Sequence, residues 1–109
     1  MLDNIVGFVK LASKSLHPKH RHVALIFHQG VLLAWSNNSR EYHAEDRAIE
    51  ICKLLRYKSN LTLISIAITK EGKLKLALPC VKCQAKIVKY RISNVFYSTS
   101  SQAIIRWIS

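Results

Sequence analysis

Two short segments of the sequence carry residues that bind metal ions and move protons. The first is His43-Ala44-Glu45, and the second is Pro79-Cys80-Val81-Lys82-Cys83. Two cysteine thiolates three positions apart at the start of a helix share one face and can bind a single Zn²⁺ ion. His43 supplies a third ligand. The fourth position of a tetrahedral site then stays open for water, which is the arrangement of catalytic rather than structural zinc.

Glu45 is the candidate for proton transfer at such a site. Zinc lowers the pKa of bound water to about 7, and a nearby carboxylate can accept the released proton. Residues two positions apart on a regular helix point to different sides, so His43 and Glu45 serve one site only if this motif forms the first turn at the sheet edge. Pro79 is expected to start the later helix, whose N-terminus would lower the pKa of both thiols.

The pattern of apolar residues predicts the elements that position these segments. Helical spacing predicts three helices, and apolar runs predict the strands. The expected helices cover residues 2–16, 43–57 and 80–90, and the expected strands cover 23–27, 31–35, 61–69 and 95–97. Turns are expected at Gln29-Gly30 and Glu71-Gly72, and a loop is expected at 36–39. After the second turn, Leu74, Leu76 and Leu78 alternate with other residues. Residues 101–108 fit either a helix or a strand. Alternating helices and strands with an initial hairpin predict a layered α/β domain with a mixed sheet.

Length and composition limit the class of protein. The chain has 109 residues, 50% of them hydrophobic, so we expect one globular domain over residues 1–109. Its apolar runs are too short to cross a bilayer, and its first residues lack the basic start of a secretory signal. We therefore expect an intracellular protein (cytoplasmic, or nuclear in a eukaryotic or viral setting), and not a membrane protein, a secreted disulfide-rich protein or a multidomain enzyme.

The charge indicates the kind of partner. Lys and Arg number 17 against 6 Asp and Glu, which gives a formal net charge of +11. Such a domain concentrates anions around itself, and nucleic acid is the commonest reason for the excess. The alternative is a charge that serves solubility alone.

Taken together, the two segments resemble the cytidine deaminase-like superfamily, in its cytidine and deoxycytidylate deaminase branch. H-x-E followed by P-C-x-x-C is the signature of zinc nucleobase deaminases. The resemblance covers about residues 20–98 and also rests on Arg21-His22-Val23-Ala24, on Asn37 and on the run 91–98. It implies a three-layer α/β/α sandwich, with one mixed sheet of about five strands and helices on both faces.

The resemblance implies a role for each motif residue. His43, Cys80 and Cys83 would bind one zinc ion. Glu45 would take a proton from the zinc-bound water, and the hydroxide would attack C4 of cytosine. Glu45 would then return protons to N3 and to the leaving ammonia.

The resemblance also implies contacts with the substrate. The backbone N–H of Ala44 would bind the base carbonyl, and the carbonyl of Leu78 would accept a hydrogen bond from the amino group. Asn37, or its neighbour Asn38, would bind the sugar.

Departures from the family leave the substrate open. Ala34-Trp35-Ser36 replaces a glycine that often precedes the asparagine, and Leu76-Ala77-Leu78 replaces the serine and tryptophan of vertebrate polynucleotide-editing deaminases. The charge favours cytosine in single-stranded DNA or RNA, whose bases enter a pocket without the cost of unpairing. A free nucleotide or nucleoside, such as dCMP or cytidine, is the alternative, and adenine in RNA is a third.

Basic and aromatic residues near the motifs are candidates for nucleic-acid contact. A helical stripe and the entrance loops would follow the strand's backbone, while aromatic rings would stack on bases. The basic candidates are Arg21, Arg40, Lys82, Lys86 and Lys89, with Lys19 beside them, and the aromatic candidates are Trp35 and Tyr42. The alternative for the lysines is a solvated helix face, and for Trp35 a place in the core.

A rival interpretation uses other histidines. His17, His20 and His22 form a cluster that is either a solvated basic loop or a source of two ligands for Cys80 and Cys83. The second case would make a closed zinc module that binds nucleic acid without catalysis. Cys52 is expected to be a core thiol on the second helix. Because a small sheet leaves edges and helix faces to cover, we also expect a homo-oligomer.

Overall fold

The computed structural model of the protein describes residues 5–15, 20–38, 43–55, 60–90 and 92–107. Over these ranges the chain forms three helices and six strands in an α/β arrangement. The elements are α1 Ile5–Ala12, β1 Arg21–His28, β2 Val31–Asn37, α2 Ala44–Leu55, β3 Leu61–Ile68, β4 Leu74–Lys75, α3 Val81–Lys89, β5 Asn94–Ser98 and β6 Ile104–Arg106. Within the described ranges, no helix combines the length and the apolar character needed to span a membrane.

The strands form one mixed sheet in the order β2-β1-β3-β5-β6, and β4 pairs with the end of β3. The pairing of β3 with β5 is parallel, and the other pairings are antiparallel. α3 lies on the connection between the two parallel strands. The expected mixed sheet is therefore confirmed, with six strands instead of about five.

Helices cover both faces of the sheet. Alternate residues of β1 pack on α1, where Val23, Leu25 and Phe27 join Phe8 and Ile64 in one core cluster. The intervening residues pack on the opposite side, in a second core cluster with buried residues of α2 and α3. We call these sides the α1 face and the α2/α3 face. Because side chains alternate along a strand, each central strand contributes to both cores.

Two strands have different lengths from those expected. β2 continues through Ser36 to Asn37, which were predicted to be in a loop, because Asn37 still pairs with Val23 of β1. β4 contains only Leu74 and Lys75, which pair with Ile68 and Ala67 at the end of β3, because β5 pairs with β3 along the rest of that edge. The alternating leucines that follow have no strand partner and form an irregular approach to α3.

The chain termini and the turns agree in part with the sequence pattern. The first predicted helix is shorter than expected, Ile5–Ala12, while residues 1–4 and 16 lie outside the described ranges. The undecided segment forms β6, antiparallel to β5. Gln29 and Gly30 have φ of 50° and 80°, the positive values of a two-residue hairpin turn whose twist matches the strands.

Candidate metal centre

The three proposed metal ligands lie together where α2 and α3 begin. His43 immediately precedes α2, Cys80 is the N-cap of α3, and Cys83 lies in its first turn. Their ligand atoms are all within 4.8 Å of one another. His43 is exposed, Cys80 is half-buried and Cys83 is buried, so the cluster opens toward solvent on the histidine side.

The geometry of the cluster fits a tetrahedral metal ion. Zinc bonds of about 2.3 Å to sulfur and about 2.0 Å to nitrogen separate ligand atoms by roughly 3.5 to 3.8 Å. Reaching those separations from 4.8 Å or less requires side-chain movements of about 1 Å. His43, Cys80 and Cys83 could therefore bind a metal ion, and the rest of the chain already brings them to one place.

Cys80 is also the residue that caps the N-terminus of α3. Its backbone is extended, with φ of −66° and ψ of 168°, and its sulfur accepts a hydrogen bond from the N–H of Cys83 at 3.4 Å. An acceptor at this position satisfies one of the helix N–H groups that lack an intrahelical partner. Pro79 before it has no N–H to leave unpaired. The cap thus points Sγ of Cys80 over the first turn, where Cys83 lies.

The expected lowering of the thiol pKa is wrong for Cys83. Burial raises the pKa of this thiol far above its usual range, and the negative charge of Glu45 adds to the effect. These two causes outweigh the favourable field of the helix N-terminus. A cation bound to Cys83 must therefore displace its proton, which couples metal binding to proton release.

Glu45 lies in the first turn of α2 and points into the protein. Only 1% of its surface is exposed. Its Oε1 accepts a hydrogen bond of 2.9 Å from the hydroxyl of Ser65 on β3, and Nε2 of His22 on β1 lies 3.3 Å from the same oxygen. Oε2 is equally buried and has no hydrogen-bond partner among the described residues. His43 lies before the helix and Glu45 within its first turn, so the expected position of the motif at the start of a helix is confirmed.

The sequence does not identify Ser65 as a site residue, and it offers His22 only within a histidine cluster, as part of a basic loop or as a metal ligand. His22 instead lies in β1 with a side chain only 16% exposed, and its Nε2 is 2.5 Å from Oγ of Ser65. Burial lowers the pKa of His22 against the opposing effect of Glu45. One signal was available, because Ser65 is a lone serine in the middle of the apolar run Leu61–Ile68.

Two predicted substrate contacts adjoin the cluster along the chain. Ala44 is buried as the first residue of α2, where a helix N–H has no intrahelical acceptor. Leu78 is 43% exposed in the irregular segment just before Pro79. Both residues are next to or near a ligand in the chain, and their contacts with a base stay predictions.

The two asparagines have partners inside the protein. The side-chain amide of Asn37 donates to the carbonyls of Leu11 and His22, at 2.8 and 2.9 Å. Oδ1 of Asn38 accepts from the hydroxyl of Ser15 and from the N–H of His22. These bonds join the end of β2 to the end of α1 and the start of β1. The proposed binding of a sugar by either residue stays a prediction.

Trp35 and Arg21 lie away from the ligands. Trp35 pairs with Leu25 and Arg21 with Ile68, and these two partners belong to the core of the α1 face. Directly paired residues point to the same face, whereas Ser65 and Glu45 belong to the other. The structure therefore does not bring Trp35 or Arg21 together with the metal ligands. Arg40, Lys19 and Tyr42 lie outside the described residues.

The three lysines of α3 are exposed and lie beside α2. Lys86 binds Asp46 at 2.7 Å, and this contact raises the pKa of Lys86. Lys86 and Lys89, together with Lys53 of α2, surround a cavity of about 140 Å³ between the two helices. Lys82 is exposed in the first turn, nearest the ligands. The predicted basic stripe exists, and its contact with nucleic acid stays a prediction.

Among the residues that the structure describes, no other cysteine or histidine joins the cluster. Cys52 is completely buried in α2, and burial raises its pKa to about 11, so it is the expected neutral core thiol. His20 lies with Nδ1 3.1 Å from Nζ of Lys75, and His22 contacts Ser65. A closed zinc module would need two ligands from His17, His20 and His22. His17 lies outside the described residues, and the other two make the contacts given above. The geometry thus favours His43 as the nitrogen ligand.

No family model matches the chain, and no curated protein matches it.

Proposed function

We propose that the protein is a zinc-dependent hydrolase that converts cytosine to uracil with release of ammonia. The observation that carries the proposal is a fully buried carboxylate, Glu45, beside a three-ligand cluster of one imidazole and two thiols. Two cysteines and one histidine suit Zn²⁺, and three protein ligands are the number found at catalytic zinc sites.

The chemistry divides between the ion and the protein. Bound zinc supplies a nucleophile at neutral pH, since it lowers the pKa of water to about 7. Oε2 of Glu45, which has no hydrogen-bond partner among the described residues, would accept the proton of the attacking water. Glu45 then delivers protons to N3 and to the exocyclic nitrogen. Water oxygen bonds to C4, the bond from C4 to the amino nitrogen breaks, and uracil and ammonia result.

We propose single-stranded DNA or RNA as the substrate. The net charge of +11 supports this choice, and so do the exposed lysines of α3, which begin in the same turn as the ligand cysteines. In a single strand the cytosine is not paired with a complementary base. It can therefore reach a site at the start of two helices without the cost of unpairing. The ion pair of Lys86 with Asp46 leaves Lys82 and Lys89 as the better phosphate contacts.

A direct assay tests the reaction. The zinc-loaded protein is incubated with a cytosine-containing oligonucleotide, with dCMP and with cytidine, and ammonia and uracil are measured. Glu45→Gln should retain one zinc ion per chain and lose at least about a hundredfold in kcat, as expected for removal of a general acid–base group. Glu50→Gln is the matched control, because Glu50 lies on the same helix but is 61% exposed.

The outcomes separate the candidate functions. Turnover of the oligonucleotide that falls steeply with salt supports the proposed substrate, whereas turnover of dCMP with little salt dependence supports a nucleotide deaminase. Full activity in Glu45→Gln would contradict the role of Glu45. One bound zinc, tight binding of the oligonucleotide and no ammonia from any substrate would support a non-catalytic module instead.

A further inference from the structure

Glu45 is held from the sheet by two side chains on neighbouring strands. In the antiparallel pairing of β1 and β3, Ser65 is opposite Ala24 and His22 is opposite Ala67, so His22 and Ser65 are diagonal neighbours on one face. Oγ of Ser65 lies 2.5 Å from Nε2 of His22 and 2.9 Å from Oε1 of Glu45. All three side chains meet under the first turn of α2.

The direction of these hydrogen bonds follows from where the single proton of the serine hydroxyl goes. Three acceptors lie near it: Oε1 of Glu45 at 2.9 Å, the carbonyl of Ala77 at 3.1 Å and, in the tautomer that leaves it unprotonated, Nε2 of His22 at 2.5 Å. A charged acceptor makes the stronger bond, so the proton goes to Glu45. Oγ of Ser65 is then free to accept, and the tautomer of His22 that carries its proton on Nε2 supplies a donor 2.5 Å away. The same N–H lies 3.3 Å from Oε1 of Glu45.

The bonds are unequally shared between the two carboxylate oxygens. Oε1 faces the serine and the histidine, while Oε2 is buried without a hydrogen-bond partner among the described side chains and backbone. A buried carboxylate oxygen without a partner is costly. A contact of Oε2 with a bound water, ion or substrate would account for this arrangement.

We propose that Ser65 and His22 are positioning residues, which hold Glu45 by Oε1 so that Oε2 faces the reacting water and base. The proposal rests on the proposed function, since the reaction defines what Oε2 must face. Neither residue touches the substrate, and both act through Glu45.

Kinetics on the zinc-loaded protein test the positioning role. Ser65→Ala should lower kcat about ten- to a hundredfold, the effect of losing a hydrogen bond to a charged group, with KM and zinc content unchanged. His22→Leu should act in the same direction, and His22→Gln should restore much of the loss, because its amide places an N–H near the position of Nε2. Ser98→Ala is the matched control: Ser98 is also fully buried and bonds Lys75 and Ala67, away from Glu45.

A spectroscopic measurement tests the same contacts without turnover. In zinc-loaded protein labelled with ¹⁵N in histidine, Nε2 of His22 should carry a proton that exchanges slowly with water. Its signal should shift in Ser65→Ala and in Glu45→Gln, and stay in place in Ser98→Ala. If Ser65→Ala fails to fold, the His22 variants and the Glu45→Gln spectrum decide.

The results distinguish failure of this proposal from failure of the proposed function. An active enzyme whose kcat is unchanged in Ser65→Ala and in His22→Leu would overturn the positioning role and leave the deaminase intact. An unprotonated Nε2 would overturn it as well. A chain without deaminase activity on any substrate would overturn the function, whatever the histidine spectrum shows.

Discussion

The two faces of the sheet are built from the same strands, and both have apolar cores, but a buried polar group lies at one end of the α2/α3 face. On the α1 face, β1 and β3 present Val23, Leu25 and Ile64 to a core that includes the ring contact of Phe8 with Phe27, at 6.1 Å between centroids. On the α2/α3 face, the same two strands present His22 and Ser65 to a buried carboxylate.

The contrast shows how a small domain combines a stable core with a polar site. Successive side chains of a strand point to opposite faces of the sheet. One residue can therefore pack in an apolar core while its neighbour belongs to a polar site. The polar group lies at one end of the α2/α3 face, and apolar residues such as Ile26, Leu63 and Ile87 fill the rest. We therefore expect substitutions on the two faces to separate metal binding from stability.

The largest expected effect is on metal binding when a ligand is removed. Cys83→Ser should lower zinc affinity by roughly a hundredfold or more, since even indirect ligand contacts are worth 10- to 100-fold. Cys52→Ala is the matched control, because Cys52 is a buried cysteine of the same face outside the cluster. Zinc content is measured after dialysis against a chelator of known affinity. Equal zinc content in both variants would contradict the assignment of the ligands.

A core substitution on the α1 face should lower the stability of the fold and leave zinc binding unchanged. Ile64→Ala removes a completely buried side chain and should lower the free energy of unfolding by about 2–5 kcal/mol. Zinc per folded chain should stay the same, because the residue packs on α1 and not beneath α2. Urea denaturation and metal analysis of the same sample test both statements. Loss of zinc from the folded variant would show that the two faces are coupled.

The smallest expected effect is on the salt dependence of nucleic-acid binding. It compares the exposed surface of α3 with that of α1. Lys89→Ala on α3 should reduce the slope of log affinity against log salt by about 0.7 for a single-stranded oligonucleotide, the value of one phosphate contact. Lys10→Ala, an exposed lysine of α1, is the control and should leave the slope unchanged. Fluorescence anisotropy over a range of salt concentrations measures both. Equal slopes for the two variants would place the nucleic acid elsewhere.

The sequence predicted the ligand cluster because its residues mark helix starts. Pro79 and Cys80 predict the start of α3, and the helical spacing of apolar residues after His43 predicts α2. The sequence did not predict the inner partners of Glu45. A histidine within Lys19-His20-Arg21-His22 looks like part of a basic loop, and only the register of β1 against β3 turns His22 inward.

Strand ends were similarly out of reach of a local pattern. Leu74, Leu76 and Leu78 alternate as a strand does, yet β4 stops after Lys75 because β5 occupies the same edge of β3 from Thr62 to Ser65. Asn37 resembles a loop residue, yet it remains in β2 because β1 continues beside it. Pairing between distant segments decides these ends, and local propensity carries little information about it.

The distance along the chain between His43 and Cys80, 37 positions, has a consequence for folding. An ion that joins them would act as a reversible cross-link and close a loop that contains α2, β3 and β4. By the chain-entropy reasoning used for disulfides, closing a loop of this length restricts the unfolded chain by on the order of 4 kcal/mol. In a domain this small, the same ion would then serve as a staple of the native state as well as a reagent.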